Sequence, residues 1–298
     1  MTRRTRAHVE HHPETGEAIP RRGSGEGPRY RAPALEKGLD ILELLADRPE
    51  GLAQSEIARA LERSVGEIFR MLACLVDRGY ITIQRPSDRY VLSLKLFELA
   101  HRHEPLQNLI GSALPLMRKL AERVHQSCHL TLVESGHGVV VAQVNAPGEI
   151  GFAVRTGAVV DLLSSASGRV LLAFQQDSER ERILALEPGS RERREFTTRY
   201  DAVLLRVRER GYEDMESTRI RGVHDVSFPV LDPRACAVAA MTMPFIERLD
   251  VEDVSLGAAR EALREAALRL SESIGARARD VAPPRSTSGS PEKVGTGR

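Results

Sequence analysis

Residues 35–94 hold three short amphipathic segments followed by two strand-like segments, an order that few folds accommodate. The first segment places five apolar residues on one side of a helix, namely Leu35, Leu39, Ile41, Leu42 and Leu45. The third repeats apolar residues at positions i, i+3, i+4 and i+7, namely Ile68, Met71, Leu72 and Leu75. Because each stripe must pack inward, we predict three helices around a shared core.

The second and third segments are separated by a short break, as in two helices joined by a turn. The second runs from Gln54 to Leu61, and Ser55 is placed to cap its start. At about 100° per residue, the side of the third helix opposite its buried stripe carries Gly66, Glu67, Arg70 and Asp77. We predict that this side is exposed and that Arg70 points away from the core.

A β-hairpin is predicted after the third helix. Two alternating segments, residues 80–84 and 89–94, flank a turn formed by residues 86–88, and two arginines stand at its ends, Arg85 and Arg89. Three helices followed by a hairpin are the layout of a winged helix-turn-helix, which we assign to residues 32–94, with the helix-turn-helix at about 54–73. Such a domain places one helix in a DNA major groove, and its hairpin arginines straddle a phosphate backbone or enter a minor groove. The alternative for the hairpin is an ordinary solvated turn.

The net charge gives no general support to the prediction of DNA binding. The whole chain carries a formal net charge of +1, and residues 32–104 hold ten Lys or Arg against twelve Asp or Glu. This balance argues against indiscriminate binding to polyanions, so attraction to DNA must come from local groups.

The two ends of the chain differ from the rest in composition. Residues 1–31 contain seven arginines and four glutamates with few apolar residues, which predicts a disordered tail that is either a solubilising segment or a basic arm following a DNA groove. Residues 279–298 are predicted to form a second disordered tail.

No apolar run resembles a signal peptide or membrane span, and three scattered cysteines suit a reducing compartment, so a cytoplasmic location is expected.

The second half of the chain interleaves strands with helices, which predicts an α+β domain with a mixed sheet over residues 106–278, joined by a linker helix at 95–105. Strands are expected at 128–133, 139–144, 152–155, 226–231 and 236–243. Helices are expected at 106–124, from Gly168 onward, and at 177–186, 200–210 and 254–274.

A serine-rich run, Ser164 to Gly168, precedes one of these helices. A nucleophile is one interpretation, but the chain has no G-x-S-x-G motif or triad order, and we expect no catalysis, cofactor or metal site. The run also offers backbone N–H groups and hydroxyls at the positive end of a helix dipole, which suits a small carboxylate. Simple helix capping is the remaining alternative.

These motifs resemble the IclR family of bacterial transcriptional regulators across residues 32–274. The matching stretches are ALEKGLDILELLA, SEIARAL, FRMLACLVDRGYI and RYVLSLKLFELA in the first half, and Ser165–Arg169, Arg210-Gly211-Tyr212 and Val226–Asp232 in the second. The resemblance implies a regulator with an operator-binding winged helix and a GAF-like effector domain whose helices pack on one side of the sheet. It also implies a homodimer or homotetramer, since one recognition helix reads too few base pairs.

The resemblance assigns the DNA-binding residues with one departure. Arg70 matches the family's helix arginine, but the helix begins Ser64-Val65-Gly66-Glu67, where the family usually has Pro-Arg-Ser-Thr. Glu67 either accepts a hydrogen bond from cytosine or, as we favour, pairs with Arg63 and Arg70. The candidate contacts with double-stranded operator DNA are Ser64, Gly66, Glu67, Arg70, Arg85 and Arg89. The alternative is a metabolite-sensing or protein-interaction module whose winged helix no longer reads DNA specifically.

The resemblance also implies a small-molecule effector site. Carried over position by position, its residues are Ala166, Ser167, Met215, Asp225, Thr242 and Pro244. Asp225 adds a negative charge, Met215 is apolar and Pro244 lacks a donor, so we expect a larger organic or aromatic acid rather than a small keto acid.

Overall fold

A computed structural model describes residues 32–100, 102, 104–148, 151–186, 194–247 and 254–276, with the side chains of 194–199 left out. The predictions about the two tails therefore lie outside the described residues. Contacts divide the chain into two compact units, with the boundary between Lys119 and Leu120. Among the described helices, none combines the length and apolar composition needed to cross a bilayer.

The N-terminal unit has the predicted three helices and hairpin, followed by two further helices. Its elements are α1 (Pro33–Ala46), α2 (Gln54–Ala60), α3 (Val65–Asp77), β1 (Ile81–Gln84), β2 (Arg89–Leu92), α4 (Lys95–Ala100) and the first part of α5 (Glu104–Val124). β1 and β2 pair antiparallel, and β2 also bridges to Leu52. Helices α4 and α5 occupy the region predicted as a linker and a long helix.

The core of this unit corrects the predicted orientation of α1. Ile41 and Leu45, four residues apart, are buried with apolar residues of α2, α3 and β1, whereas Leu35 and Leu39 are 62% and 48% exposed. The apolar stripe of α1 is wider than the surface that the rest of the unit covers. Helix α2 begins at Gln54 as predicted, but the prediction that Ser55 caps it is wrong, because the N-cap position is Ala53, whose N–H donates to the Glu56 carboxylate at 2.8 Å.

The C-terminal unit is one curled sheet with helices, which confirms the predicted α+β class. Its elements are β3 (Cys128–Glu134), β4 (His137–Val144), β5 (Val159–Val160), α6 (Ala166–Ala173), α7 (Asp177–Leu186), α8 (Arg194–Arg210), β6 (Glu213–Glu216), β7 (Val223–Leu231), β8 (Ala237–Ile246) and α9 (Leu256–Ser273). The strand order is β5-β4-β3-β8-β7-β6.

Details of the sheet differ from prediction. All described strand pairings are antiparallel, so the predicted mixed sheet is wrong. Residues 152–155 are not a strand, while β5 and β6 were not predicted. Strand β6 has the sequence Glu-Asp-Met-Glu, which lacks apolar alternation, and its strand conformation comes from pairing with β7.

Helices lie on both faces of this sheet. Neighbouring residues of a strand point to opposite faces. On β6, Glu213 accepts a hydrogen bond from Arg169 of α6, and Asp214 accepts one from Arg260 of α9. Helices α6 and α9 therefore cover opposite faces, which corrects the expectation of helices on one side.

Candidate functional site

Helix α3 begins with a reciprocal cap. The Ser64 hydroxyl accepts from the N–H of Glu67 at 3.3 Å, and the Glu67 carboxylate accepts from the N–H and the hydroxyl of Ser64 at 3.2 and 3.0 Å. These bonds satisfy backbone donors that the first helical turn otherwise leaves open. Ser64 and Glu67 thus define where the helix starts.

Glu67 also forms an ion pair with Lys37 of α1, at 2.7 Å. The hydrogen bond from Lys37, followed by those from Ser64, lowers the pKa of Glu67 from 4.5 to about 2. Glu67 therefore forms an ion pair, as we favoured, but its partner is Lys37 and not the predicted Arg63 and Arg70. The carboxylate ties α1 to the start of α3.

We expect Glu67→Gln to reduce thermal stability at neutral pH and to have little effect near pH 2. A carboxylate whose pKa is lowered on folding stabilises the folded state above its unfolded pKa, and this stabilisation is lost as pH falls through the folded pKa. Melting temperatures of both proteins measured between pH 2 and 7 check this. The exposed Glu43→Gln on α1 is the charge-matched control, and an equal loss at every pH would contradict the role of the charge.

The hairpin contains a second internal ion pair. Arg89 donates to both carboxylate oxygens of Glu56, at 2.8 and 3.3 Å, so it joins β2 to α2. Arg85, in contrast, is exposed at the hairpin tip and forms no ion pair with any residue in the described ranges. Of the two predicted wing arginines, Arg85 is the one that is exposed and without an ion pair in the described chain.

The remaining exposed face of α3 carries one cation. Arg70 is exposed and has no ion pair within the part of the chain that is described, and small residues, Gly66 and Ala73, lie beside it. Val65 and Phe69 are 53% and 56% exposed on the same helix, and the sequence analysis missed both. Phe69 lies about 110° around the helix from the centre of the buried stripe, and this angle in the sequence pattern already indicated an exposed side chain.

A row of polar residues crosses the sheet of the C-terminal unit. Residues directly opposite each other in antiparallel strands project to the same face. The strand registers place five such residues in one line, namely Gln143, His129, Thr242, Ser227 and Glu213. Since Glu213 contacts α6, this row lies on the face that α6 covers. Its central hydroxyls, those of Ser227 and Thr242, are 2.8 Å apart.

A cavity of about 240 Å³ opens between this face and the start of α6. Its walls combine hydroxyls, two carboxyls and one arginine with apolar side chains, and they comprise His129, Phe152, Val154, Val160, Asp161, Ser164, Ser165, Ala166, Ser167, Ser217, Thr218, Arg219, Ile220, Asp225 and Thr242. Four of the predicted effector residues line it, namely Ala166, Ser167, Asp225 and Thr242. Met215 and Pro244 flank Asp225 in the strand register but are not among its walls.

Burial alters two titratable groups in the cavity walls. Desolvation raises the pKa of Asp225, against the lowering effect of a hydrogen bond from Ser217 and the charge of His224. Desolvation also lowers the pKa of His129 to about 4, so its imidazole is neutral at pH 7. The buried Nδ1 atom of His129 has no hydrogen-bond partner among the described residues. Sequence reasoning missed His129, because nothing local marks it.

Serine capping accounts for part of the serine-rich run. The Ser165 hydroxyl accepts from the N–H of Gly168 at 3.1 Å and donates to the carbonyl of Asp161 at 2.6 Å. Ala166 and Ser167, the first two residues of the helix, line the cavity. Arg169 donates to the carbonyl of Leu163 at 2.8 Å and to Glu213, which anchors this loop to the sheet.

A larger depression, about 590 Å³, lies beside α7 and α8 and includes none of the predicted site residues. No group of three His, Cys, Asp or Glu side chains is placed to hold a metal ion in the described parts of the chain. Four of the candidate effector residues line the cavity beside α6, and none lines this depression.

Two family models together cover most of the chain. The model of the IclR helix-turn-helix domain matches residues 34–84, and that of the bacterial transcriptional regulator IclR C-terminal domain matches residues 105–272. The chain belongs to the IclR family. It is accordingly a ligand-responsive, DNA-binding transcriptional regulator. The resemblance noted in the sequence is confirmed.

Individual relatives and solved structures are similar to this chain over most of its length. The glycerol operon regulatory protein of Streptomyces coelicolor is 29% identical over 252 residues, which cover 82% of this chain and 96% of that protein. The IclR structure from Thermotoga maritima has a TM-score of 0.62 at 25% identity and covers 81% of this chain and 98% of that one. An IclR homologue from Microbacterium hydrocarbonoxydans, solved in complex with 4-hydroxybenzoate, has a TM-score of 0.65 at 20% identity with the same coverage.

Proposed function

We propose that this regulator binds a pseudo-palindromic operator through α3 and the hairpin tip, and that an organic or aromatic acid binds in the cavity beside α6. The observation that carries the DNA-binding part is Arg70, an exposed arginine without an ion pair in the described chain, on the open face of the second helix of a helix-turn-helix. An arginine in the major groove donates two hydrogen bonds to guanine.

The six predicted DNA-binding residues divide into three roles in this proposal. Arg70 contacts bases, while Ser64, Gly66 and Arg85 approach the phosphate backbone. Glu67 and Arg89 act indirectly, because their ion pairs with Lys37 and Glu56 hold α1 and the hairpin against the helix-turn-helix. The positioned framework, rather than net charge, then aligns Arg70 with the groove.

The regulator is proposed to act as a homodimer or homotetramer in the cytoplasm, without catalysis. Large apolar side chains of the N-terminal unit are exposed on elements other than α3, namely Leu35 and Leu39 on α1, Ile83 on β1, Leu94, and Leu96, Phe97 and Leu99 on α4. Burying such side chains against a second copy is favourable, and two copies supply two recognition helices. Sedimentation of the full chain determines the oligomeric state.

Footprinting on the DNA upstream of the regulator's own gene tests the operator proposal. We expect two protected half-sites separated by a whole number of helical turns, each about 10 base pairs. Protection should depend on the effector. A chain that is folded and oligomeric yet protects no sequence would instead support the alternative of a module that has lost specific DNA recognition.

The size and the walls of the cavity suit an acid that contains a single ring. Its volume of about 240 Å³ is small, its walls are partly apolar, and the N–H groups of Ala166 and Ser167 at the start of α6 suit a carboxylate. The neutral imidazole of His129 and the hydroxyl of Thr242 offer partners for a hydroxyl group elsewhere on the ligand. The 4-hydroxybenzoate bound by the Microbacterium homologue is one acid of this class.

A thermal-shift comparison tests the effector class. Benzoate and 4-hydroxybenzoate are compared with pyruvate and glyoxylate, because a ligand that binds only the folded state stabilises it by about 2.7 kcal/mol at a hundred times its Kd. We expect stabilisation by the aromatic acids. Stabilisation by the keto acids alone would contradict the proposal.

Asp225→Asn is expected to increase the affinity for an acid effector on the order of tenfold at pH 7, because it removes a repulsion between two neighbouring negative charges on the order of 1 kcal/mol. An anionic ligand beside Asp225 favours its protonated form, so acid binding by the unchanged protein should strengthen as pH falls, and the variant should lose this dependence. Titration calorimetry between pH 5 and 8 measures both. Asp201→Asn on α8 is the control, and loss of acid binding in Asp225→Asn would show that this carboxyl instead donates to the ligand.

A further inference from the structure

Two apolar side chains are exposed beside Arg70 on α3. Val65 and Phe69 are both more than half exposed and lie four residues apart, so they are neighbours along one side of the helix. The same helix buries Ile68 and Leu72 completely. The exposure of Phe69 is therefore a feature of its position and not of a loosely packed helix.

The exposed face of α3 has a defined order around the helix. At about 100° per residue, Gly66, Ala73 and, at the end of the helix, Asp77 lie near its centre, with Phe69 on one flank and Arg70 on the other. The small central residues allow close approach of a partner to the helix backbone. A phenyl ring and a guanidinium would then reach the partner on either side of that approach.

A second copy of the chain fits this face poorly. A two-fold contact centred on Phe69 and Arg70 would bring the two Arg70 side chains together. Of the carboxylates on this helix face, Glu67 is already paired with Lys37, and Asp77 lies about two turns away at the end of the helix. A DNA major groove offers a partner to each side chain, because guanine has hydrogen-bond acceptors for the Arg70 guanidinium and thymine has a methyl group that can pack against the Phe69 ring.

We propose that Phe69, supported by Val65, reads thymine by packing against its C5 methyl group, at a base pair neighbouring the one that Arg70 contacts. This inference rests on the proposed operator binding and adds a specificity-determining residue to it. Each operator half-site should accordingly contain a thymine whose methyl group contributes to affinity.

Deoxyuridine substitution tests this directly, because uracil differs from thymine only by the missing methyl. The full chain selects duplexes from a random pool, and the thymines of the selected half-site are then replaced by deoxyuridine one at a time. Losing one buried methyl should weaken binding about fourfold at one position per half-site. Phe69→Ala should bind the thymine and uracil duplexes equally.

Leu205→Ala is the matched control, since Leu205 is similarly exposed but lies on α8 of the C-terminal unit. It should keep the fourfold difference, and sedimentation should show all variants in the same oligomeric state. If the unchanged chain selects no duplex, the proposed function itself fails. If it selects a defined duplex but no uracil position weakens binding, or Phe69→Ala keeps the difference or dissociates the oligomer, thymine reading is wrong while operator binding stands.

Discussion

Gly168→Ala is expected to destabilise the C-terminal unit by about 3 kcal/mol, the upper range for overpacking a core. A Cβ atom at Gly168 would lie 2.3 Å from the Cα and 2.4 Å from the carbonyl oxygen of Leu162. Both are backbone atoms, so the clash cannot be relieved by turning a side chain. The start of α6 must shift away from residues 161–163, and this movement also displaces Ala166 and Ser167 from the cavity.

Thermal unfolding measures this effect, with an expected decrease of about 10 °C for a domain of this size. Gly257→Ala on α9 is the matched control, because a Cβ there would have no atom within 4 Å. We expect no loss of stability in the control. Gly168→Ala should also weaken binding of any acid that stabilises the unchanged protein, and a variant as stable as the control would show that the loop before α6 yields easily.

The periodicity of the sequence was sufficient for the framework of the N-terminal unit. The buried stripe from Ile68 to Leu75 and the alternating strands of the hairpin follow from the local spacing of apolar residues, which is visible in the sequence. Local spacing could not predict the exposure of Leu35 or the ion pair between Lys37 and Glu67. Both depend on where α1 lies against α3, across a separation of thirty residues.

The cavity beside α6 likewise combines residues that the sequence pointed to with residues that it did not. Ala166, Ser167, Asp225 and Thr242 were found through resemblance to the family, which supplies positions that the residues alone do not mark. His129 is a histidine in an apolar strand, and it becomes a cavity residue only because its register places it opposite Thr242. Segments such as Ser217–Ile220 have no periodicity, so only the folded chain shows that they complete the walls.

The internal ion pairs change how the recognition helix is interpreted. Six residues were predicted to face DNA, but Glu67 and Arg89 use their charges inside the unit. Each pair is neutral, so together they take two carboxylates and two cations out of contact with a partner and leave the net charge of the unit unchanged. Recognition then depends on few groups, and the removal of one should have a large effect.

Arg70→Ala is expected to weaken operator binding about thirtyfold or more. A bidentate contact between arginine and guanine contributes about 1–3 kcal/mol, and a dimer makes it twice. Fluorescence anisotropy with a selected operator duplex measures the change. Arg118→Ala is the control, because Arg118 is exposed on α5 and its removal changes the net charge equally. We expect less than about a twofold change in the control, since an exposed charge away from the duplex is screened by salt.

Arg70→Lys separates reading of a base from attraction to phosphate. Lysine keeps the positive charge but lacks the planar fork that matches guanine, so the variant should keep the salt dependence of binding and lose discrimination at one base pair. Affinities for the operator and for a duplex with that base pair changed, measured over a range of salt concentrations, distinguish the two contributions. If Arg70→Ala binds the operator as tightly as the control does, α3 does not read DNA through this side chain, and docking through the exposed face of the helix is wrong.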